Sequence, residues 1–177
     1  MKVQYVAFLR AINTGNRRIK MAGLRALYGD LGYSNVATYL ATGNVIFDAP
    51  SPPLPLELEV PFAQQFGFTS EVFLRSGEEI RSILDTVPWR GDDVVVEVSF
   101  LEREPGVAEA RSLEATAVAP EELAVSGREV FFLRGHGRGA PTTHKESTSL
   151  DLLNMKMTRR GMATVVQVYA RFLLPRM

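Results

Sequence analysis

The loop from Asn13 to Lys20 carries side chains suited to binding an anion. It follows a β-branched and aromatic run, residues 3–9, and leads into a helical pattern that starts at Lys20. Free backbone N–H groups and the positive end of the helix dipole would point at a ligand there. Arg17 and Arg18 add cations, which a helix N-terminus disfavours by about 0.3–1 kcal/mol each. An anion would relieve that conflict, so the loop is a candidate phosphate or polyanion site; simple solvation of the side chains is the alternative.

A second group of polar side chains lies where strands are expected to end or begin. Arg10 ends the first apolar run, Asn13 lies in the turn that leaves it, and Asn44 follows Thr42 and Gly43 before another strand-like run. If these two strands are antiparallel neighbours, the end of one meets the beginning of the other. An arginine and two amides could then hold a carboxylate, a phosphate or a base edge. The alternative is that residues 42–44 form only a turn.

Other chemistry finds little support in the sequence. The absence of cysteine excludes thiol catalysis, iron–sulfur clusters and disulfides. His136 and His144 have no acidic cluster between them, which makes a poor metal site. Ser147 lies near His144 but lacks the Gly-x-Ser-x-Gly elbow of a hydrolase. The sequence indicates neither a metal nor a cofactor, and no catalytic residue can be named.

Charge is strongly segregated, although the formal net charge is zero. Residues 1–29 hold six basic and no acidic side chains, residues 30–127 hold five basic and 17 acidic ones, and residues 128–177 hold nine basic and three acidic ones. If the two ends of the chain meet, they form a basic face that attracts an anionic partner. The alternative is that these charges are solvated or paired with acidic groups elsewhere.

The composition also predicts the cellular location of the protein. A hydrophobic fraction of 46% with no net charge excludes a disordered chain. No run approaches the ~20 apolar residues of a membrane span, and the N-terminal run lacks the features of a signal peptide. We therefore expect a cytoplasmic protein without a membrane partner.

The elements that position the candidate residues follow the order β-α-β-β-α-β in the first half. This order is that of the split βαβ, ferredoxin-like unit, an antiparallel sheet with two helices on one face. The unit closes near residue 75. Strands are predicted at 3–9, 36–41, 45–47 and 69–74, and helices at 20–31 and 58–66.

The second half follows a similar plan without an identifiable sequence repeat. A helix is predicted at 76–87, a strand at 94–101, a helix at 106–115, a hairpin of strands 123–125 and 130–133, and helices at 147–157 and 163–174. The predicted fold is α+β, with two tandem ferredoxin-like halves at residues 1–75 and 76–177, each an antiparallel sheet with helices on one face. The second half carries the extra terminal helix.

Several of these segments resemble the bacterial DUF1697 family, a domain of unknown function. The resemblance is carried by Phe8-Leu9-Arg10-Ala11-Ile12-Asn13-Thr14-Gly15, by Lys20-Met21 with Leu24-Arg25, and by Ala41-Thr42-Gly43-Asn44-Val45-Ile46-Phe47. It implies two ferredoxin-like halves and no known activity.

The C-terminal signature of that family is only partly present. Arg160, Thr164 and Val165 match it, whereas Gly161 and Met162 stand where Asn and Trp are usual. If that Trp stacks on a ligand in relatives, this protein binds something else or nothing. If it packs in the core, Met is an easy replacement.

Three functions remain open. The first is a binding module for nucleic acid or another phosphate-bearing ligand, the second an enzyme acting on a small anionic substrate between the halves, and the third a protein that self-associates through complementary charge. The residues favour the first and lean against an enzyme. The predicted ligand-binding residues are Arg10, Asn13, Gly15, Arg17, Arg18, Lys20, Thr42, Gly43, Asn44 and Arg160.

Overall fold

The computed structural model describes residues 2–91, 93–118, 121–136 and 153–174. The fold is mixed α+β with two four-stranded antiparallel sheets. The chain divides into two compact units, one formed by Met1–Arg81 with Val168–Met177 and the other by Ser82–Gln167. The sequence places the boundary at 75/76 and the whole terminal helix in the second half. In the structure the division falls inside a helix, and the chain from Val168 onward belongs to the first unit.

The first unit begins with the predicted order of elements. They are β1 (Val3–Leu9), α1 (Met21–Asp30), β2 (Ser34–Tyr39), β3 (Asn44–Ala49), α2 (Pro55–Phe66), β4 (Val72–Ser76) and α3 (Gly77–Thr86). The strands are arranged β2-β3-β1-β4, with β1 antiparallel to both of its neighbours. Phe8 therefore lies opposite Asn44, which places the beginning of β3 beside the end of β1.

One face of this sheet packs against α1 and α2. Leu24, Leu27 and Tyr28 lie at helical spacing on α1 and are buried, and Leu58 and Phe62 are the buried residues of α2. Alternation along the strands directs every second side chain to the same core. Those strand residues are Tyr5, Ala7, Leu9, Val45, Phe47, Ala49 and Val72.

The opposite face of the first sheet is also buried, at Val6, Phe8 and Ile46. Residues at the C-terminal end of the chain contact this face. Gln4 Nε2 donates a hydrogen bond to the carbonyl oxygen of Phe172 at 3.1 Å, and the ring of Phe172 meets that of Tyr39 edge-on at 6.3 Å between centroids. These contacts explain why the end of the chain belongs to the first unit.

The second unit contains β5 (Val94–Leu101), α4 (Val107–Glu114), β6 (Glu122–Ser126), β7 (Glu129–His136) and β8 (Met157–Gly161), followed by α5 (Met162–Val168) and a π-helical segment, Tyr169–Leu173, which continues into the first unit. Its sheet has the order β6-β7-β5-β8. No helix in the described part of the chain has the length and apolar character needed to cross a membrane.

The helix predicted at 147–157 is contradicted over its last five residues, which are the ones that the structure describes. Residues 157–161, where the predicted helix 147–157 ends, form strand β8, which pairs with β5. Residues 153–156 are not helical, and residues 147–152 lie outside the described residues. The helix predicted at 163–174 is confirmed by α5 and the π-helical segment. Pairing with a strand distant in sequence thus gives residues 157–161 a conformation that the sequence analysis does not predict.

Candidate functional site

The loop between β1 and α1, residues 10–20, is called the basic loop below; Asn13 holds it in place. The Asn13 side chain donates a hydrogen bond from Nδ2 to the carbonyl oxygen of Ala41 at 2.7 Å. Its Oδ1 accepts one from the backbone N–H of Ile19 at 2.9 Å. Asn13 has a φ of 53°, a left-handed conformation that asparagine adopts more readily than most residues. One side chain therefore closes the loop and ties it to the β2–β3 turn.

Gly43 allows the β2–β3 turn to approach the basic loop closely. Its φ is 81°, and a Cβ added there would lie 2.6 Å from Cδ1 of Ile12 and 2.9 Å from Cβ of Leu9. The Gly43 carbonyl oxygen accepts a hydrogen bond from the N–H of Leu9 at 2.8 Å. No side chain fits this position without moving its neighbours.

Asn44 is fully buried beneath the same turn. Its Nδ2 donates to the carbonyl oxygen of Tyr39 at 2.7 Å and to Oγ1 of Thr42 at 3.0 Å. These bonds close the turn. The structure thus brings Asn13 and residues 41–44 together, and their hydrogen bonds support the loop and the turn.

Arg10 lies at the end of β1 with its guanidinium beside a carboxylate. NH1 is 3.6 Å from Oε1 of Glu71, and the Arg10 side chain is 46% exposed. Exposed pairs of this kind contribute about 0–1 kcal/mol to stability. Glu71 therefore shares the strand end with Arg10, which the sequence does not predict.

The remaining cations of the basic loop are exposed. Arg17 lies over the ring of Phe68, with 5.6 Å between its Cζ and the ring centroid, while Arg18 and Lys20 extend from the surface. Gly15 adopts a φ of 55° with open space around it. Lys20 is the N-cap of α1, without a capping hydrogen bond from its side chain, and the first turn of α1 contains no acidic residue.

Three other helices begin differently from α1. The first turns of α2, α3 and α4 contain Glu57, the pair Glu78 and Glu79, and Glu109, respectively. The carboxylates of Glu57, Glu79 and Glu109 accept hydrogen bonds from backbone N–H groups at those helix starts. Negative charge stabilises a helix N-terminus, and α1 has cations in its place.

Arg160, the last of the predicted ligand-binding residues, belongs to the other unit. It is buried on β8, where NH1 donates to Oγ1 of Thr158 at 3.0 Å and to the carbonyl oxygen of Arg159 at 2.6 Å. Burial lowers the pKa of Arg160 to about 10. Among the predicted residues, the other nine lie in the first unit.

In the first sheet, the buried Arg75 occupies the position that Arg160 occupies in the second. The sequence analysis does not single out Arg75. Arg75 of β4 is opposite Val6 of β1, as Arg160 of β8 is opposite Val98 of β5. Both arginines are buried. Arginines in strands are ordinarily exposed, so only the common register of the two sheets reveals the correspondence.

Glu97 on β5 joins two further arginines that the sequence does not single out. Arg134 donates to Glu97 Oε2 from Nε at 2.9 Å and from NH2 at 2.7 Å. NH1 of Arg159 lies 3.6 Å from the same oxygen, and its guanidinium lies over the ring of Phe132. Neighbouring strands supply all four residues, so the cluster strengthens the second sheet.

The remaining candidates are resolved only in part. His144 and Ser147 lie outside the described residues. In the described ranges, no group of three or more His, Asp or Glu side chains could hold a metal ion. Met162, at the position where the resemblance implies Trp, is buried, as are Val165 and Val168. The burial supports the packing interpretation of that position.

Comparison with known proteins finds a similar structure and a matching family. The chain is similar in structure to the conserved bacterial protein SP0830 from Streptococcus pneumoniae, with a TM-score of 0.79 and 22% sequence identity over 96% of this chain and 98% of the other. At this identity the similarity shows the fold alone. The comparison with curated proteins found no match. Residues 1–131 match DUF1697, a family described as a protein of unknown function. The match covers most of the chain and confirms the resemblance of its first 50 residues: the chain belongs to the DUF1697 family.

Proposed function

We propose that this protein is a binding module for a phosphate-bearing ligand, held at the basic loop. The observation that carries the proposal is the start of α1, where Arg17 and Arg18 come shortly before the helix and its N-cap residue, Lys20, makes no capping hydrogen bond from its side chain. The helix end contributes roughly half a positive charge. An anion would interact favourably with the helix end and with the cations together.

The anchoring of the basic loop supports the same proposal. Hydrogen bonds from Asn13 to Ala41 and from Ile19 to Asn13 hold both ends of the loop, and Gly43 lets the neighbouring turn pack against it. A loop ordered before binding loses less conformational entropy when the ligand arrives. Asn13, Gly43 and Asn44 then act as positioning residues, and the exposed cations supply the contacts.

Single-stranded nucleic acid is the ligand that the spacing of the cations favours. Arg17 and Arg18 are exposed and adjacent in the chain, and neighbouring exposed cations contact a polyanion through several phosphates in turn. A single small phosphate would engage fewer of them. Counterion release then makes the affinity fall steeply as salt rises.

The test is a titration of the full chain with a fluorescent single strand of about ten nucleotides, a length within the usual site sizes. The Arg17→Ala, Arg18→Ala double variant is expected to weaken binding about tenfold at low salt and to reduce the slope of log K against log[salt] by about 1.4, or 0.7 for each lost phosphate contact. Inorganic tripolyphosphate serves as a competitor to detect a site for small phosphates. For that competitor Arg10→Ala is the informative variant.

Arg111→Ala is the matched control for Arg18→Ala. Arg111 is also exposed and lies in the last turn of α4 in the other unit. Its replacement by Ala removes the same charge. Only Arg18→Ala is expected to weaken binding. Equal effects of the two variants would show nonspecific attraction to net charge, and an absence of binding at low salt by both probes would reject the proposal.

We also propose that the two units are tandem ferredoxin-like halves. The orders β2-β3-β1-β4 and β6-β7-β5-β8 support this, because each half has its first strand between its third and fourth. Cross-strand nuclear Overhauser effects would test it. Contacts of Val98 with both Phe131 and Arg160 are expected, and any other pairing of β5 would contradict the topology.

A further inference from the structure

A pocket of about 600 Å³ lies on the face of the first sheet that α1 and α2 leave uncovered. Ala37 and Ile46 line it from neighbouring strands, and Phe172 and Leu174 line it from the end of the chain. Its volume is within the range of small-molecule sites, roughly 300–1,000 Å³. The basic loop contributes no residue to this pocket.

The two polar residues of the pocket present hydrogen-bond acceptors. Gln4 donates from Nε2 to the carbonyl oxygen of Phe172 at 3.1 Å, and Asn35 donates from Nδ2 to Oδ2 of Asp48 at 2.6 Å. Both partners are acceptors, which fixes the orientation of each amide. The amide oxygens Oε1 of Gln4 and Oδ1 of Asn35 accept no hydrogen bond from the described residues. The polar side of the pocket is therefore suited to a ligand that donates.

A carboxylate lies behind these amides. Asp48 is opposite Gln4 in the β1–β3 register and accepts the hydrogen bond from Asn35. Its other oxygen, Oδ1, is buried without a partner among the described residues. Lys2, from the same end of β1, donates its hydrogen bond to Oγ of Ser34 instead. At this end of the pocket, two amide oxygens thus lie next to a carboxylate that is not itself in the lining and has one oxygen without a partner among the described residues.

We propose that this pocket binds a small organic cation, a primary ammonium attached to an apolar group. An ammonium has three donors and no acceptor, which matches the oxygens of Gln4 and Asn35 and the charge of Asp48. The apolar group would pack against Ile46 and Phe172. This site is separate from the basic loop in both position and charge preference.

Phenethylammonium is a suitable probe, compared with 2-phenylethanol as its neutral analogue and phenylacetate as its anionic one. Binding is followed in ¹H–¹⁵N spectra of the full chain, with shifts expected at Ala37, Ile46 and Leu174. The ammonium is expected to bind at least about tenfold more tightly than the alcohol, because charge-assisted hydrogen bonds are the stronger kind. Phenylacetate is expected to be the weakest of the three.

Two pairs of variants separate the charge from the cavity. Asp48→Asn removes the carboxylate and is expected to abolish the preference for the ammonium over the alcohol, while Asp30→Asn at the exposed end of α1 preserves it. Ala37→Leu fills the pocket and is expected to weaken the binding of the ammonium at least about tenfold by occlusion. Ala26→Leu, exposed on α1, is the control for that change.

Circular dichroism establishes that each variant is folded, and Ala37→Leu still tests the pocket if Asp48→Asn fails to fold. The proposal is overturned if phenethylammonium leaves the amide signals of the pocket unchanged, or if phenylacetate binds as tightly. It is also overturned if Ala37→Leu and Ala26→Leu bind phenethylammonium with the same affinity. Arg18→Ala should leave these titrations unchanged, which keeps the result independent of the proposed phosphate site.

Discussion

The hydroxyl of Tyr28 is a polar group at the centre of the first core without a partner among the described residues. The Tyr28 ring is 5.2 Å from that of Phe47 and 6.1 Å from that of Tyr33, measured between centroids. Burial, with smaller effects from Tyr33 and Glu59, raises the pKa of Tyr28 well above its usual value. The ring therefore packs well while its hydroxyl loses hydration without compensation.

Tyr28→Phe should stabilise the protein, because it keeps the ring and removes the unsatisfied hydroxyl. We expect the free energy of unfolding to rise by about 1 kcal/mol, measured by urea denaturation at neutral pH. Tyr33→Phe is the control, since Tyr33 is only partly buried, and should change stability little. A loss of stability in Tyr28→Phe would show that the hydroxyl has a partner in solution.

The raised pKa of Tyr28 also predicts how the stability of the protein depends on pH, and Tyr28→Phe tests this. The folded-state pKa of Tyr28 is raised above the ordinary value of 10.0, so the unfolded chain loses this proton first. This pKa difference therefore makes its full contribution to the free energy of unfolding below pH 10. The contribution is lost as the pH rises toward the folded pKa. Above pH 10 the wild type should lose stability faster than Tyr28→Phe.

At the scale of elements, turn residues position the candidate site more than the strands do. Asn13 and Gly43 could be recognised from the sequence as turn residues, because asparagine and glycine tolerate a positive φ. Their partners could not, since Ala41 and Ile12 are brought to them by a loop and a hairpin distant in sequence. The sequence therefore predicts where the loop lies, and the structure shows what holds it.

Gly43→Ala should destabilise the β2–β3 turn. The added Cβ would lie 2.6 Å from Ile12 Cδ1, at a φ of 81°, and we expect a loss of about 2–4 kcal/mol from the combined steric and backbone strain. Gly15→Ala is the control, because its φ is 55° with no neighbouring atom within 4 Å. That change should cost only about 1–2 kcal/mol. Thermal or urea unfolding measures both, and equal losses would contradict the proposed close approach.

The sequence predicts the strands at Val3–Leu9 and Val94–Leu101 with their full bounds, because β-branched and aromatic residues dominate both segments. β8 was missed because two of its five residues are arginines and another is glycine. It is a strand because β5 supplies its hydrogen-bonding partners. A segment of this composition acquires its conformation from the sheet rather than from its own propensity.

At the scale of the whole molecule, the sequence predicts two α+β halves and places the end of the chain in the second, which differs from the division of the structure into two units. The order of elements suggests that a terminal helix belongs to the sheet that precedes it. The structure groups Val168–Met177 with the first unit instead. The predicted basic face is divided accordingly: residues 1–29 and the chain from Val168 lie in the first unit, residues 128–167 in the second. That face stays a prediction.

Leu173→Ala tests this grouping. Leu173 is buried, and its Cδ2 is 3.9 Å from the position a Cβ would take on Gly77, while the adjacent Phe172 accepts the hydrogen bond from Gln4. We expect a loss of about 2–3 kcal/mol, as for other truncations of buried leucine. Leu174→Ala, at a position 47% exposed, should have little effect.

Hydrogen exchange locates the loss produced by Leu173→Ala. If the end of the chain stabilises the first unit, amide protection should fall in β1 and β3, where Gln4 and Ile46 lie on the face that the terminal segment contacts. Protection in β5 and β7 should fall less, because local destabilisation spreads first to the elements in direct contact. A greater loss in β5 and β7 than in β1 and β3 would favour the sequence prediction, in which the terminal helix belongs to the second half.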